Sequence, residues 1–224
     1  MNFAFMAVRN RAELTERAVC EALASPGAPL RLHLYDDRSD REKEALDALY
    51  EKWSGNSRIR IFRETDVPYG VWGKSYALRK FLRRIAKVKP EDRGCIAILD
   101  NDMSFEPGWL SESIDVLRSE ESKERNITVV APLIDTNHQT IETAPIAGHE
   151  VHVRHHQGAC CWVAEWSFFA RHGLPPVAPG SVHEEWFYVS KMKEAGEFIG
   201  CFSDPPLAKH LGAANSERER GARS

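Results

Sequence analysis

The segment Cys95-Ile96-Ala97-Ile98-Leu99 is a run of five apolar residues that stops on Asp100-Asn101-Asp102. Five residues make a short helix at best, but they suffice for a strand covered on both faces. Such a strand lies inside a sheet with layers on either side. Its end must reach a polar environment, because two carboxylates one residue apart are costly to bury unpaired. The chain ahead of it repeats the pattern. Asn2 to Val8 is an apolar run, Arg31 to Tyr35 alternates around Leu32 and Leu34 before Asp36-Asp37, and Arg58 to Phe62 forms a third strand.

Helical spacing fills the gaps between these strands. Leu14, Ala18, Val19, Ala22 and Leu23 recur within Ala12 to Leu23. Ala45, Leu46, Leu49, Tyr50 and Trp53 do so within Asp40 to Trp53, and Tyr76, Ala77, Leu78, Phe81, Leu82 and Ile85 within Lys74 to Ala86. The spacing predicts three helices, separated from the strands by turn residues and by a loop over Val67 to Gly73. Strand-helix alternation predicts an α/β, Rossmann-like fold with a mostly parallel central sheet flanked by helices. In such sheets ligands collect at the carboxyl ends of the strands, where both acidic clusters fall. The second half is less regular. Strands are expected at Ile127 to Leu133 and at His149 to Arg154, with Val151 and Val153 on one face, and helices at Trp162 to Arg171 and Glu184 to Ala195. No repeat or linker divides the chain, so residues 1–212 are expected to form one domain and 213–224 a flexible tail.

Bulk properties narrow the function classes. The formal net charge is −3, which argues against a surface built chiefly to hold a polyanion. No apolar run approaches the roughly 18–20 residues that span a bilayer. The first residues lack the charged start and long apolar stretch of a secretion signal. Five cysteines at irregular spacing fit reduced thiols better than a disulfide framework, so the expected compartment is the cytoplasm.

Asp100 and Asp102 are hard oxygen ligands of the kind that suits Mg²⁺ or Mn²⁺, and such ions bridge the oxygens of a diphosphate. Alone, an Asp-x-Asp is more often a solvated turn after a strand. Its surroundings change that balance. The opening strand is followed by Asn10-Arg11 and a helix. Tyr35-Asp36-Asp37-Arg38-Ser39-Asp40 follows the second strand, and Gly73-Lys74-Ser75-Tyr76-Ala77-Leu78-Arg79 opens the third helix. Taken in this order with Asp100-Asn101-Asp102, these segments resemble family-2-type glycosyltransferases of the GT-A fold over roughly residues 2 to 212.

That resemblance implies a nucleoside diphosphate sugar as donor, UDP-linked, and a metal-dependent inverting transfer to an acceptor hydroxyl. Residues 1–103 would bind the donor and 104–212 the acceptor. Asp37, with Asp36 as the alternative, would hold the base, and Asp100 the ribose. Lys74 would meet the diphosphate, and Arg9 stands where the family often has an aromatic residue. Asp102 and His210, with Asp100 beside them, would hold the metal. Gly158, Ala159 and Trp186 would line the acceptor pocket, and Glu185 would be the general base, with Glu184 the other choice.

Departures from the family are visible too. Position 38 is Arg where glycine is common, and no Gln-x-x-Arg-Trp follows Glu184-Glu185, which argues against a processive polysaccharide synthase. The acceptor stays open among glycans, small molecules and modified DNA, the last as in phage enzymes that modify bases. Arg83, Arg84, Lys87 and Lys89 are a candidate duplex contact there, though a solvated helix face explains them as well. A non-catalytic nucleotide- or nucleic-acid-binding module is the alternative of another class. The cluster His149, His152, His155, His156, Cys160 and Cys161 lacks the spacing of a zinc finger or ribbon and is expected to form a pocket wall instead.

Overall fold

The computed structural model describes residues 1–64, 66–67, 72–133 and 138–211. The stretch 213–224, expected as a tail, lies outside them, as does the 68–71 part of the loop before Gly73. The strands are β1 (Asn2–Val8), β2 (Leu30–Asp36), β3 (Ile59–Arg63), β4 (Cys95–Asp100), β5 (Met103–Phe105), β6 (Ile127–Ala131), β7 (Thr140–Ile146), β8 (His149–Arg154), β9 (Cys161–Glu165), β10 (Phe198–Phe202) and β11 (Ala208–His210). The helices are α1 (Ala12–Ala24), α2 (Lys43–Trp53), α3 (Gly73–Ile85), α4 (Trp109–Arg118), α5 (Glu120–Glu124), α6 (Trp166–His172) and α7 (Glu184–Ala195).

Among the described residues nine strands form one sheet in the order β3-β2-β1-β4-β9-β6-β10-β8-β7, and β5 pairs with β11 apart from it. Only β8 and β9 run against the rest, so the sheet is mostly parallel, as the alternation predicts. Side chains sort by strand alternation into two layers. Ala4, Met6 and Val8 of β1, Leu32 and Leu34 of β2, and Ala97 and Leu99 of β4 pack under α1, α2 and α4. Phe3, Phe5, Tyr35, Ile96 and Ile98 pack on the other face against Leu78, Phe81 and Leu82 of α3, Phe168 of α6, and Tyr188 and Met192 of α7.

Three expected boundaries differ. The helix expected over Trp162 to Arg171 is β9 up to Glu165 and helix only from Trp166. β9 is buried on both faces between β4 and β6, and a short run with no exposed face carries no period that separates strand from helix. The helix expected from Asp40 begins at Lys43, because Asn10 Oδ1 accepts from the amides of Asp40 and Arg41, both at 3.0 Å, and holds them in a turn. β6 ends at Ala131, one residue before Pro132, whose carbonyl accepts instead from Leu207 and Ala208. That last link aims β11 at β5. The pair aligns His210 with Met103, next to the end of β4.

Candidate active site

The register of the central strands sets the positions of the acids. Ala7 of β1 lies opposite Asp100 of β4, and Val8 opposite Asp36 of β2, so both acidic clusters meet at one sheet edge. Between them the turn from β1 to α1 takes positive φ at Asn10 (57°) and Arg11 (62°), a region that L side chains other than Asn and Asp rarely adopt. Asn101 braces this turn: its Nδ2 donates to Asn10 O at 3.0 Å and to Thr15 Oγ1 at 2.8 Å. Asn101 therefore faces the scaffold, while the two aspartates that flank it face the cleft. That cleft holds about 520 Å³ between Arg9, Arg11, Asp40, Asp100, Asp102 and His210. A second hollow of about 340 Å³ shares Arg9, Asp100 and Asn101 with it and continues past Asp37, Trp72 and Lys74.

Asp100, Asp102 and His210 present ligand atoms that all lie within 4.8 Å of one another, and they are the one such cluster among the described residues. Two carboxylate oxygens and an imidazole nitrogen are a donor set that Mn²⁺ or Mg²⁺ accepts, so the residues fit a divalent cation. Cations of the protein already balance the acids. Lys74 Nζ donates to Asp100 Oδ1 at 2.7 Å, Arg11 pairs with Asp102 Oδ2, and His210 Nε2 lies 3.0 Å from Asp102 Oδ1. Burial would raise the Asp102 carboxyl, but the His210 hydrogen bond and the charges of His210 and Arg11 outweigh it and hold it below the usual range. The same hydrogen bond raises His210 against the effect of its own burial. The Asp100 side chain is partly exposed, yet burial raises its carboxyl further than Lys74 lowers it.

Lys74 links this cluster to the second acidic pair. Its Nζ also donates to Ala159 O at 2.9 Å and lies 3.5 Å from Glu184 Oε1. Burial alone would lower the ammonium, but Asp100 and Glu184 hold it well above its ordinary value. The other side of the Ala159 residue faces Glu185, whose Oε2 accepts from Ala159 N at 3.2 Å. Gly158 and Ala159 are thus the turn that joins the Asp100–Asp102–His210 cluster to α7.

At the start of α7 the two glutamates have different surroundings. Glu184 is buried, its Oε2 accepts from Ser75 Oγ at 2.6 Å, and its amide donates back to that oxygen at 3.0 Å. Glu185 is partly exposed, with Oε1 2.6 Å from His156 Nε2. Burial would raise its carboxyl, but the His156 and Ala159 hydrogen bonds outweigh burial and place it below the ordinary range. Around it stand exposed Trp186, its ring 4.8 Å from that of His156, and exposed Trp72, 5.5 Å from the ring of His183.

Asp36 and Asp37 also separate. Asp36 is buried with both oxygens engaged, Oδ1 by Ser39 N at 2.9 Å and Oδ2 by Tyr50 Oη at 3.0 Å. Asp37 faces the hollow beside Trp72, paired with Arg38 at 3.0 Å. A Cβ on Gly73 would stand 1.9 Å from Asp37 Oδ2, so glycine there makes room for the carboxylate. Arg38 keeps the left-handed turn (φ 54°) in which the family often has glycine. Arg9 is exposed and lines both hollows.

The remaining residues singled out from sequence lie elsewhere. Arg79 donates to Pro175 O at 2.9 Å and so ties α3 to a loop rather than to the cleft. His149 packs on Phe202, His152 meets Thr140, and His155 stacks on Phe198, so of the four histidines between 149 and 156 only His156 reaches Glu185. Cys160 is pushed up to about 12 by burial and then by the charge of Asp100, which keeps it a thiol at neutral pH. Sequence reasoning missed Arg11 as the partner of Asp102, Ser75 as the anchor of Glu184, and Trp72. Only Trp72 carried a signal, as an aromatic residue directly before the glycine-led helix.

Residues 4–129 match the profile described as Glycosyl transferase family 2. No curated protein matches the sequence significantly. Among solved structures the chain is similar to the mannosyltransferase PcManGT from Pyrobaculum calidifontis in complex with GDP-Man and Mn²⁺, with a TM-score of 0.61 and 12% identity over 100% of this chain and 64% of that one. It is similar to S. aureus TarS 1-349, with a TM-score of 0.63 and 12% identity over 97% of this chain and 62% of that one. A structure of GalNAc-T7 with UDP, GalNAc and Mn²⁺ gives 0.63 and 16%, over 94% of this chain and 43% of that one. The chain therefore spans less than two thirds of the length of each of these proteins. No helix among the described residues is long and apolar enough to cross a membrane.

Proposed function

The chain belongs to glycosyl transferase family 2 and has the GT-A fold, and from that premise we propose that it moves a sugar from a nucleoside diphosphate donor, UDP-linked, to an acceptor hydroxyl with inversion at the anomeric carbon. The observation that carries this reading is the joined cluster of Asp100, Asp102 and His210 with Glu185, connected through Lys74 and the Ala159 residue.

We assign Asp37 to the base and Arg9 to the neighbouring wall, and Asp100 to the ribose. Residues 1–103 then supply most of the donor side and 104–212 the acceptor side, with His210 crossing back. Asp102, His210 and Asp100 would hold Mn²⁺ or Mg²⁺, which when bound supplies positive charge against a departing diphosphate. Lys74 adds fixed charge on the same side, with Asp100 and Glu184 keeping it protonated. Gly158, Ala159 and Trp186 frame the acceptor. Glu185, held ionised by His156 and the Ala159 amide, takes the proton of the acceptor hydroxyl as that oxygen bonds to the anomeric carbon and the carbon–diphosphate bond breaks. Cys160 is no thiolate, and Glu185 is an ionised carboxylate beside the 158–159 turn; both support single displacement over a thiol-linked intermediate. The five free thiols fit a reducing compartment such as the cytoplasm.

The test is a donor screen that reads nucleotide release in Mn²⁺, with glycans, small alcohols and hydroxymethylated DNA as acceptors, paired with calorimetry of UDP in Mn²⁺ and in EDTA. The reading expects UDP to bind weakly in EDTA, because Asp100 and Asp102 repel a diphosphate, and Asp102→Asn to weaken binding in Mn²⁺. Equal UDP affinity in Mn²⁺ and EDTA would overturn the metal-dependent assignment. Nucleotide binding with no release from any donor would favour the non-catalytic module.

A further inference from the structure

Away from the cleft, at the opposite end of the sheet, a hollow of about 300 Å³ opens between the starts of β2 and β3 and the last turn of α3. Its lining includes Arg31, His33, Arg60, Phe62, Arg84 and Lys87, and no carboxylate. From Lys74 to Arg84 along α3 is ten residues, or roughly 15 Å at the helical rise, so the hollow is separate from the site described above.

Two independent features mark it. The first is charge without a counter-charge. Elsewhere on the surface Arg17, Lys52, Arg63, Arg118 and Lys123 each reach a carboxylate within 2.8 Å, whereas Arg83, Lys89 and Lys193 are unpaired among the described residues but are not gathered around one hollow. Arg31, Arg60, Arg84 and Lys87 make no ion pair among the described residues. Arg84 and Lys87 sit at the carboxyl end of α3, where cations offset the helix dipole. Arg31 and Arg60 are strand residues to which that explanation does not extend. Four cations around one hollow repel one another, in a chain whose net charge is −3.

The second feature is His33. It is 6% exposed, and neither ring nitrogen has a hydrogen-bond partner among the described residues. Phe3, Phe62 and Phe81 surround the ring at 6.1, 5.6 and 5.3 Å between centroids, and the Arg84 guanidinium lies 4.4 Å over Phe62. Burial, and then the charges of Arg60, Arg31 and Arg84, push the imidazole down to about 4, so at neutral pH it is uncharged and one nitrogen carries a proton to donate. Buried polar groups left without a partner are uncommon, and both nitrogens are closed to solvent, so a bound anion that answers the four cations would accept from that nitrogen once neighbouring side chains shift to open it to the hollow. Arginine forks match phosphate oxygens in pairs, and a hollow at the low end of the roughly 300–1,000 Å³ of small-molecule sites admits a compact group rather than a large one.

We propose that this hollow binds a compact phosphate-bearing anion, held by Arg31, Arg60, Arg84 and Lys87 with the neutral His33 ring donating to it. The ligand carries either a phosphate monoester or a diphosphate.

The test follows the His33 ring signals of the whole chain by NMR, in EDTA and physiological salt, with inorganic phosphate and inorganic pyrophosphate as separate probes. The expected result is a saturable shift of those signals and a titration midpoint that rises from about 4. A tighter response to pyrophosphate assigns the site to diphosphates, and a tighter response to phosphate assigns it to monoesters. Arg31→Gln with Arg60→Gln should weaken the response by about tenfold or more, the scale of losing charge-assisted hydrogen bonds. If the double variant does not fold, exposed Arg60→Gln alone carries the comparison. No saturable shift with either probe, or an unchanged affinity in the variant, overturns the proposal. A DNA duplex that moves His33 at lower concentration than pyrophosphate also overturns it, and makes the surface a nucleic-acid contact.

Discussion

Glu185→Gln separates proton transfer from donor binding. In the native site, Glu185 Oε1 lies 2.6 Å from His156 Nε2 and Oε2 accepts from Ala159 N at 3.2 Å. An ionised carboxylate only accepts, so His156 Nε2 carries the proton of the first bond. Glutamine keeps the shape but turns one oxygen into a donor. With its oxygen still accepting from Ala159 N, the amide NH2 meets His156 Nε2, and that bond survives only when the ring moves its proton to Nδ1, so the cost is at most about 1–2 kcal/mol in stability. A fold with about 5–15 kcal/mol in reserve survives that loss. Turnover should fall about 10²–10⁴-fold, or about 3–5 kcal/mol of transition-state stabilisation, the usual share of a positioned base. UDP affinity should stay near that of the native chain, because the donor side consists of other residues. Glu184→Gln is the control. It weakens the buried pair with Ser75, so it should lower the melting temperature, while removing a negative charge 3.5 Å from Lys74 should leave UDP affinity unchanged or raise it. Single-turnover nucleotide release and UDP calorimetry on both variants read these effects. If Glu185→Gln keeps turnover within about threefold, the carboxylate only caps α7 and holds the 158–159 turn, and single displacement loses its base.

Gly73→Ala should weaken UDP binding by about tenfold with little change in melting temperature. The new Cβ would displace the Asp37 carboxylate, although Ala at a helix position normally gains up to about 1 kcal/mol over Gly. Calorimetry alongside a thermal melt checks it, and unchanged affinity would remove Asp37 from the donor site. His156→Ala removes the hydrogen bond that holds Glu185 low, so the Glu185 pKa should rise. Activity needs the ionised form, present above that pKa and lost as pH falls through it, so the acid limb of the kcat profile should move to higher pH. A limb that stays in place would show that His156 does not set the charge of the base.

Much of the first half was legible because β1 and β4 are apolar on both faces, β2 and β3 alternate, and each helix is apolar on one face. Cys95 to Asp100 and the helices from Ala12 and Gly73 have unambiguous periods, and the acids follow from strands that end at water. Glu184–Ala195 was legible from its acidic start and its length. What failed depends on pairing across the chain. β9 reads as a helix start because it is buried between β4 and β6 and shows no exposed face. The link from Pro132 O to Leu207 and Ala208, and the pairing of β5 with β11, bring His210 to Asp102, and local spacing carries no trace of either. The resemblance could nominate His210, but the pairing is what delivers it. Asp36 and Asp37, and Glu184 and Glu185, are alike in sequence. Tyr50 and Ser75, distant partners, tell them apart by filling the lone pairs of Asp36 and Glu184.

The distribution of cations around Asp100 and Asp102 explains how an acidic cluster persists at the end of a buried strand. Without compensation, two carboxylates this close in a half-buried edge would repel each other and lose hydration. Lys74 compensates Asp100 while bonded to Ala159 O and near Glu184, so its position is set by three groups. Arg11 compensates Asp102 from a turn held at positive φ, and its side chain is about one-third exposed. The two cations therefore differ in how easily they can yield. A divalent ion at Asp102 would compete with the Arg11 guanidinium, which can swing into the cleft, while Lys74 can stay on Asp100 and face the diphosphate. The fixed charge thus lies next to the 158–159 turn and the replaceable one next to His210, so the two acids of one triplet are suited to different partners.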